Sequence, residues 1–131
     1  MSADETPRVL VIDDDEALQR LVTTLITRAD MTPISALTAG EAAQILRQQP
    51  LPNIVVLDLM LPDVSGIDFL KQMRAKRVFD HLPVIILSAL ADPDQIREGL
   101  GAGADRYLTK PYLANNLIST VQELLKTGRK T

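Results

Sequence analysis

The 131-residue chain has no cysteine and no tryptophan. Without cysteine there is no disulfide framework and no thiol chemistry, a usage that fits a reducing compartment. Aromatic residues are confined to Phe69, Phe79, Tyr107 and Tyr112, so any core must be aliphatic. There is no basic surplus: 14 Lys and Arg face 17 Asp and Glu, for a net charge of −3. That balance argues against direct nucleic-acid binding by this domain. No segment approaches ~18 consecutive apolar residues, so no membrane span is expected. The start, Met1-Ser2-Ala3-Asp4-Glu5, is acidic where a signal peptide is basic and then apolar. The expected setting is cytoplasmic.

What is present is aliphatic residue, 46% of the chain being hydrophobic, which excludes wholesale disorder. The length suits one domain that buries roughly 65–70% of its unfolded surface. We read residues 1–7 as an N-terminal tail, 8–127 as the domain, and 128–131 as a C-terminal tail or the start of a linker.

Apolar runs of four to five residues alternate with stretches of helical period, the pattern of repeated βα units around a parallel sheet. The runs are Val9–Ile12, Ile34–Leu37, Ile54–Leu57, Val84–Leu87 and Asp105–Thr109. Pro33 suits an edge strand or strand end, and polar Asp105, Arg106 and Thr109 suggest an exposed edge. The first helix is expected over Glu16–Arg28, with Leu18, Leu21, Val22, Leu25 and Ile26 on its apolar stripe. Thr38 and Glu41 have the spacing of a capping box, and the second helix should end at Gln49-Pro50. Further helices are expected over 66–76, after Asp92-Pro93, and over 114–126, with Gly128 at the last C-cap.

Four strand-like runs end in a reactive polar residue. Asp13 and Asp14 follow the first, Asp58 the third, Ser88 the fourth and Lys110 the fifth. In an open α/β sheet the ligand site lies outside the carboxyl ends of the strands. Three carboxylates, a hydroxyl and an ammonium would therefore meet there.

These residues carry a resemblance. Val9-Leu10-Val11-Ile12-Asp13-Asp14-Asp15-Glu16, Val56-Leu57-Asp58-Leu59-Met60-Leu61-Pro62-Asp63-Val64-Ser65-Gly66, Leu87-Ser88-Ala89 and Gly103-Ala104-Asp105-Arg106-Tyr107-Leu108-Thr109-Lys110-Pro111 resemble the receiver domain of bacterial two-component response regulators. The likeness spans roughly residues 8 to 126. It implies a doubly wound, flavodoxin-like α/β fold with five parallel strands in the order 2-1-3-4-5, as in chemotaxis receivers. It also implies that Asp58 accepts a phosphoryl group from a sensor histidine kinase or histidine phosphotransfer protein. Asp13, Asp14, Asp58 and the Met60 backbone carbonyl would hold Mg²⁺, or Mn²⁺ in its place. Lys110 would pair with the phosphoryl oxygens, Ser88 would donate to another, and Tyr107 would swing inward behind it. The fourth helix, fifth strand and fifth helix would form the signalling face. The Lys110–Pro111 bond is cis in many members.

Physical chemistry supports this reading. A carboxylate nucleophile forming an aspartyl phosphate is established covalent chemistry, and a hard, oxygen-ligated cation offsets the crowding of carboxylates. The resemblance further implies that side chains two residues beyond the acceptor and two beyond the hydroxyl residue modulate dephosphorylation. Here these are Met60 and Leu90, apolar and unable to orient an attacking water, so slow self-hydrolysis is expected. Asp15 reads as a helix cap, and Asp63 and Gly66 as shapers of the loop before the third helix. Arg106 stands where winged-helix regulators usually carry an acid, which argues against their dimer. Leu113 occupies the last helix's cap position.

Two other function classes compete. A stand-alone aspartyl phosphohydrolase needs an acid/base carboxylate two residues after its nucleophile, where Met60 stands. A phosphorylation-independent binding module would not need the reactive set. Gly99-Leu100-Gly101-Ala102-Gly103-Ala104 fits a dinucleotide pattern, but it closes a helix instead of opening one. His81 is expected to face solvent, leaving any donor histidine to a partner.

Overall fold

Unbroken apolar runs separated by helical stretches leave a chain few options besides a parallel sheet covered on both faces. The computed structural model describes residues 6–110 and 114–129. Strands β1 (Arg8–Ile12), β2 (Thr32–Ala36), β3 (Ile54–Leu57), β4 (Val84–Ser88) and β5 (Arg106–Thr109) alternate with helices α1 (Glu16–Arg28), α2 (Ala39–Leu46), α3 (Gly66–Arg74), α4 (Pro93–Gly101) and α5 (Ala114–Thr127). All strand pairs are parallel, in the order β2-β1-β3-β4-β5. The expected doubly wound fold and strand order are thus observed.

Alternate strand residues feed two cores. Leu10, Ile12, Val55, Leu57, Val84 and Ile86 pack with residues of α2 and α3. Val9, Val11, Ile54, Val56, Ile85 and Leu87 pack with α1 and α5. Fully burying one such side chain stabilises by roughly 1.5–3 kcal/mol. An exposed pair such as Arg97–Asp94 contributes about 0–1 kcal/mol. The two cores therefore hold the sheet, and surface pairs add little.

Local details depart from expectation at several points. β2 begins at Thr32 and includes Pro33. The Thr32 N–H donates to the Pro7 carbonyl and the Asp13 N–H to the Ala36 carbonyl. Even-numbered β2 peptides thus face β1, and by strand alternation the imide nitrogen of Pro33 faces the open edge. On α1, Leu21 is 49% exposed, whereas Gln19 is buried beside Val22 and Ile26. Thr38 caps α2 by accepting from the Glu41 N–H, but the Glu41 carboxylate accepts from Leu37 instead of closing the box on Thr38.

The edge at β5 is not simply polar and exposed. The Asp105 carboxylate is buried between Arg74 (3.3 Å) and Arg129 (2.9 Å) and also accepts the Val84 N–H. Burial and the neighbouring Arg129 charge draw the Arg74 pKa down to about 10. Arg129, assigned above to a tail or linker, also donates to the Asp80 carbonyl. Arg106 is engaged by Glu123 of α5 at 2.9 Å.

Asp92 caps α4 as anticipated. Gly99 and Gly101 lie in its final turns, and Gly103 follows at φ +118°. The glycine run closes a helix, as read from the sequence. His81 is exposed. The Gln49–Pro50 bond is cis. Pro111, whose preceding bond is cis in many members of the family resembled, and the cap position Leu113 lie outside the described residues.

Candidate functional site

Three of the strand-end residues are tied into the sheet by one more rung of the ladder. The Asp13 N–H donates to Ala36, the Asp58 N–H to Ile12 and the Lys110 N–H to Ser88, at 2.9–3.0 Å. The carboxyl edge is therefore built from backbone as rigid as the strands themselves.

Lys110 Nζ lies 3.0 Å from Asp13 Oδ2 and 3.2 Å from Asp58 Oδ2. Asp13 and Asp58 are buried, and Asp14 at the pocket's mouth is exposed. The second oxygen of each buried carboxylate is also engaged. Asp13 Oδ1 accepts the Asp15 N–H at 2.9 Å, and Asp58 Oδ1 accepts the Met60 N–H at 3.3 Å. Asp15 turns its own carboxylate to the Leu18 N–H and caps α1.

Burial raises the Asp58 pKa, and the Asp13 charge raises it further, against the opposing pull of Lys110. Burial works against the Lys110 ammonium, yet its bonds and charge contacts with Asp13 and Asp58 outweigh that and raise its pKa. Three carboxylates against one ammonium leave the pocket short of positive charge. One oxygen from each of Asp13, Asp14 and Asp58 lies within 4.8 Å of the others. Opposite oxygens of an octahedral Mg²⁺ shell, with bonds of ~2.1 Å, lie ~4.2 Å apart. The hard-oxygen donor set suits such a cation, which would draw the three carboxylates slightly closer together.

The loop after Asp58 folds back tightly. Met60 bridges to Ser65, and the Gly66 N–H donates to the Leu59 carbonyl at 2.8 Å. A Cβ on Gly66 would stand 2.4 Å from the Asp58 carbonyl oxygen, so only glycine fits. Asp63 accepts from the Ala39 and Gly40 N–H groups, tying this loop to the start of α2. Those bonds lower its pKa, burial opposing them.

Ser88 is fully enclosed, and its Oγ accepts from the Leu90 N–H at 3.1 Å instead of joining the acidic group. Tyr107 is half-buried and donates from its hydroxyl to the Leu90 carbonyl at 2.6 Å. Gly99 of α4 lies against the Tyr107 ring. The Met60 side chain is 63% exposed. Gln19, which sequence reasoning missed, donates to the Val11, Asp13 and Ala36 carbonyls beneath the pocket. Its signal was a polar residue three positions before Val22 and seven before Ile26.

A family model described as the response regulator receiver domain matches residues 9–122. The chain belongs to the response regulator receiver family. It is 32% identical over 123 residues to the phosphate regulon transcriptional regulatory protein PhoB of Rhizobium meliloti, covering 94% of this chain and 54% of that protein. It is 36% identical over 120 residues to the DNA-binding dual master transcriptional regulator RpaA of Synechocystis, covering 92% of this chain and 49% of that one. The receiver thus spans about half the length of these curated relatives. The solved receiver domain of Francisella response regulator 1452 superposes with a TM-score of 0.85 at 36% identity, covering 93% of this chain and 98% of that one. This chain is accordingly a receiver domain of a two-component response regulator.

Proposed function

We propose that this receiver is a Mg²⁺-dependent phosphoacceptor switch in which Asp58 takes a phosphoryl group from a sensor histidine kinase or histidine phosphotransfer protein. One observation carries the reading: Lys110 Nζ bridges Asp13 and Asp58 at 3.0 and 3.2 Å, with an Asp14 oxygen in the same cluster. A buried carboxylate is thereby set beside a fixed cation and a cation-binding group of oxygens.

Asp13, Asp14, Asp58 and the Met60 carbonyl would hold Mg²⁺, with Mn²⁺ as a substitute. When bound, the ion neutralises charge on the phosphoryl oxygens and the carboxylates together. An Asp58 oxygen attacks the phosphorus of the donor phosphohistidine. The new P–O bond forms as the P–N bond breaks, and the imidazole nitrogen keeps the electron pair. Lys110 leaves one carboxylate partner to pair with the phosphoryl oxygens as a point charge.

Ser88 then turns its hydroxyl toward the phosphoryl group and releases the Leu90 N–H. Tyr107 is bonded to the other end of the same residue, so the change reaches the α4-β5-α5 face. A local charge needs a two-state element to become a signal, and Leu90 with its two bonds supplies one. The relatives' names as transcriptional regulators support an input role for this half of such proteins. The domain itself is read as neither a nucleic-acid binder nor an enzyme acting on other molecules. The slow return step is attack of water on phosphorus, with Met60 and Leu90 offering that water no hydrogen bond.

The test is incubation with Mg²⁺ and acetyl phosphate, followed by intact mass. The reading expects one stable phosphoryl addition that is lost in Asp58→Asn and suppressed by chelation. Continuous phosphate release without a stable adduct would point to a hydrolase, and no reaction at all to a binding module.

A further inference from the structure

We infer that Gln19 is a positioning residue for the acidic pocket, its side-chain amide pinning the Asp13 peptide so that the Asp13 carboxylate is set for a divalent cation. The inference rests on the reading of the pocket just given.

Gln19 is 5% exposed and sits on the α1 stripe that otherwise buries Val22 and Ile26. Its Nε2 lies 2.9 Å from the Val11 carbonyl oxygen, 3.1 Å from that of Asp13 and 3.0 Å from that of Ala36. An amide NH₂ has only two hydrogens, so three acceptors share them. The Ala36 oxygen also accepts the Asp13 N–H. Both ends of Asp13's own backbone therefore run into the same node, the N–H through Ala36 and the carbonyl directly. The node fastens the ends of β1 and β2 just below the carboxylate.

The other end of the amide makes no bond of its own. Gln19 Oε1 is buried without a hydrogen-bond partner, the one such side-chain atom among the described residues. Burying an unpaired acceptor is unfavourable. An apolar residue would fill the stripe without that cost. Flipping the amide offers no relief, because Oε1 would then face three carbonyl oxygens. The arrangement is unfavourable at Oε1 and useful only at Nε2.

What Nε2 secures is the direction of Asp13. That carboxylate has one oxygen on the Asp15 N–H and the other on Lys110. With the peptide fixed as well, the ligand has little freedom left to lose when a cation binds. Groups that orient metal ligands commonly alter affinity about 10–100-fold when removed.

The experiment titrates the full chain with Mg²⁺ alone by calorimetry and measures thermal unfolding in parallel. Gln19→Leu keeps an apolar stripe, Gln19→Glu keeps the shape but offers acceptors, and Ile26→Val loosens the same stripe away from the node. Both Gln19 variants should weaken Mg²⁺ binding about tenfold, while Ile26→Val binds as wild type at whatever cost in melting temperature. Phosphoryl uptake from acetyl phosphate should recover in Gln19→Leu at saturating Mg²⁺. Mg²⁺ affinity in Gln19→Leu equal to wild type overturns the inference alone. Wild-type protein that binds no Mg²⁺ overturns the reading of the pocket and the inference with it. Should Gln19→Leu fail to fold, Gln19→Asn, whose amide is too short to reach all three carbonyls, gives the same decision.

Discussion

Ser88 and Tyr107 are joined through a single residue. The Leu90 N–H donates to Ser88 Oγ at 3.1 Å, and the Leu90 carbonyl accepts from the Tyr107 hydroxyl at 2.6 Å. In the proposed switch, a rotation of the serine hydroxyl and a swing of the phenol would be linked through these two bonds. Tyr107→Phe removes one end of the link and should cost about 1 kcal/mol of stability, the usual net value of such a bond. Because the phenol lies outside the acidic group, acetyl phosphate should still modify Asp58 at close to the wild-type rate. Denaturant unfolding and a time course of phosphorylation check both halves. Loss of phosphorylation would show that Tyr107 belongs to the reacting site.

The crowding of Asp58 has a signature in pH. Its folded-state pKa is raised, chiefly by burial and then by Asp13, so the native protein holds that proton more tightly than the unfolded chain. Stability therefore falls as pH rises through the interval between the ordinary carboxylate value and the raised one, and the full cost persists above it. Asp58→Asn removes the cost. Metal-free Asp58→Asn should melt higher than wild type at neutral pH, and the gap should close below about pH 4. Added Mg²⁺ should narrow the gap by stabilising wild type more. A variant that melts lower at neutral pH would contradict this account of the pocket.

Two glycines separate rigid from yielding contacts. A methyl on Gly66 would meet the backbone of Asp58 and Leu59 at 2.4 and 2.6 Å, whereas one on Gly99 would meet the tip of Ile86 at 2.6 Å. Overpacking costs typically about 1–3 kcal/mol. Gly66→Ala should lie at or above the top of that range and impair phosphorylation, because main chain beside Asp58 must move. Gly99→Ala should lie near the bottom, since Ile86 can change rotamer, and its effect should fall on the Tyr107 face. Paired unfolding and phosphorylation measurements test the order, which reversal would overturn.

Phosphoryl lifetime should follow the exposed Met60 side chain. Met60→Asn gives an attacking water a hydrogen-bonding partner and should shorten the half-life about tenfold, equivalent to about 1.4 kcal/mol of barrier. Met60→Ala should leave it nearly unchanged. The decay of the phosphorylated mass with time is the readout. Equal half-lives in all three proteins would remove Met60 from the account.

The features legible in the sequence were those written in neighbouring residues. The apolar runs Ile54–Leu57 and Val84–Leu87 mark strands buried on both faces, and the polar residue ending each falls at one edge for purely topological reasons. What escaped depends on contacts distant in sequence. Leu21 looks like a stripe residue by composition, but the helix is turned so that Gln19 faces the sheet. Asp105 looks like an exposed edge residue, yet Arg74 and Arg129 close over it from 31 and 24 positions away. Pro33 marked an edge strand from the sequence, but only the pairing direction shows its nitrogen pointing off that edge. Periodicity carries no information about such partners.

The central claim is that Asp58 is the residue that carries the phosphoryl group. Its most direct test is borohydride reduction of the protein after acetyl phosphate and Mg²⁺ treatment, followed by peptide mass mapping. Reduction turns an acyl phosphate into an alcohol at the modified carboxyl. The account predicts that conversion at Asp58 alone, and conversion at Asp13 or Asp14, or at no carboxylate of the cluster, would contradict it.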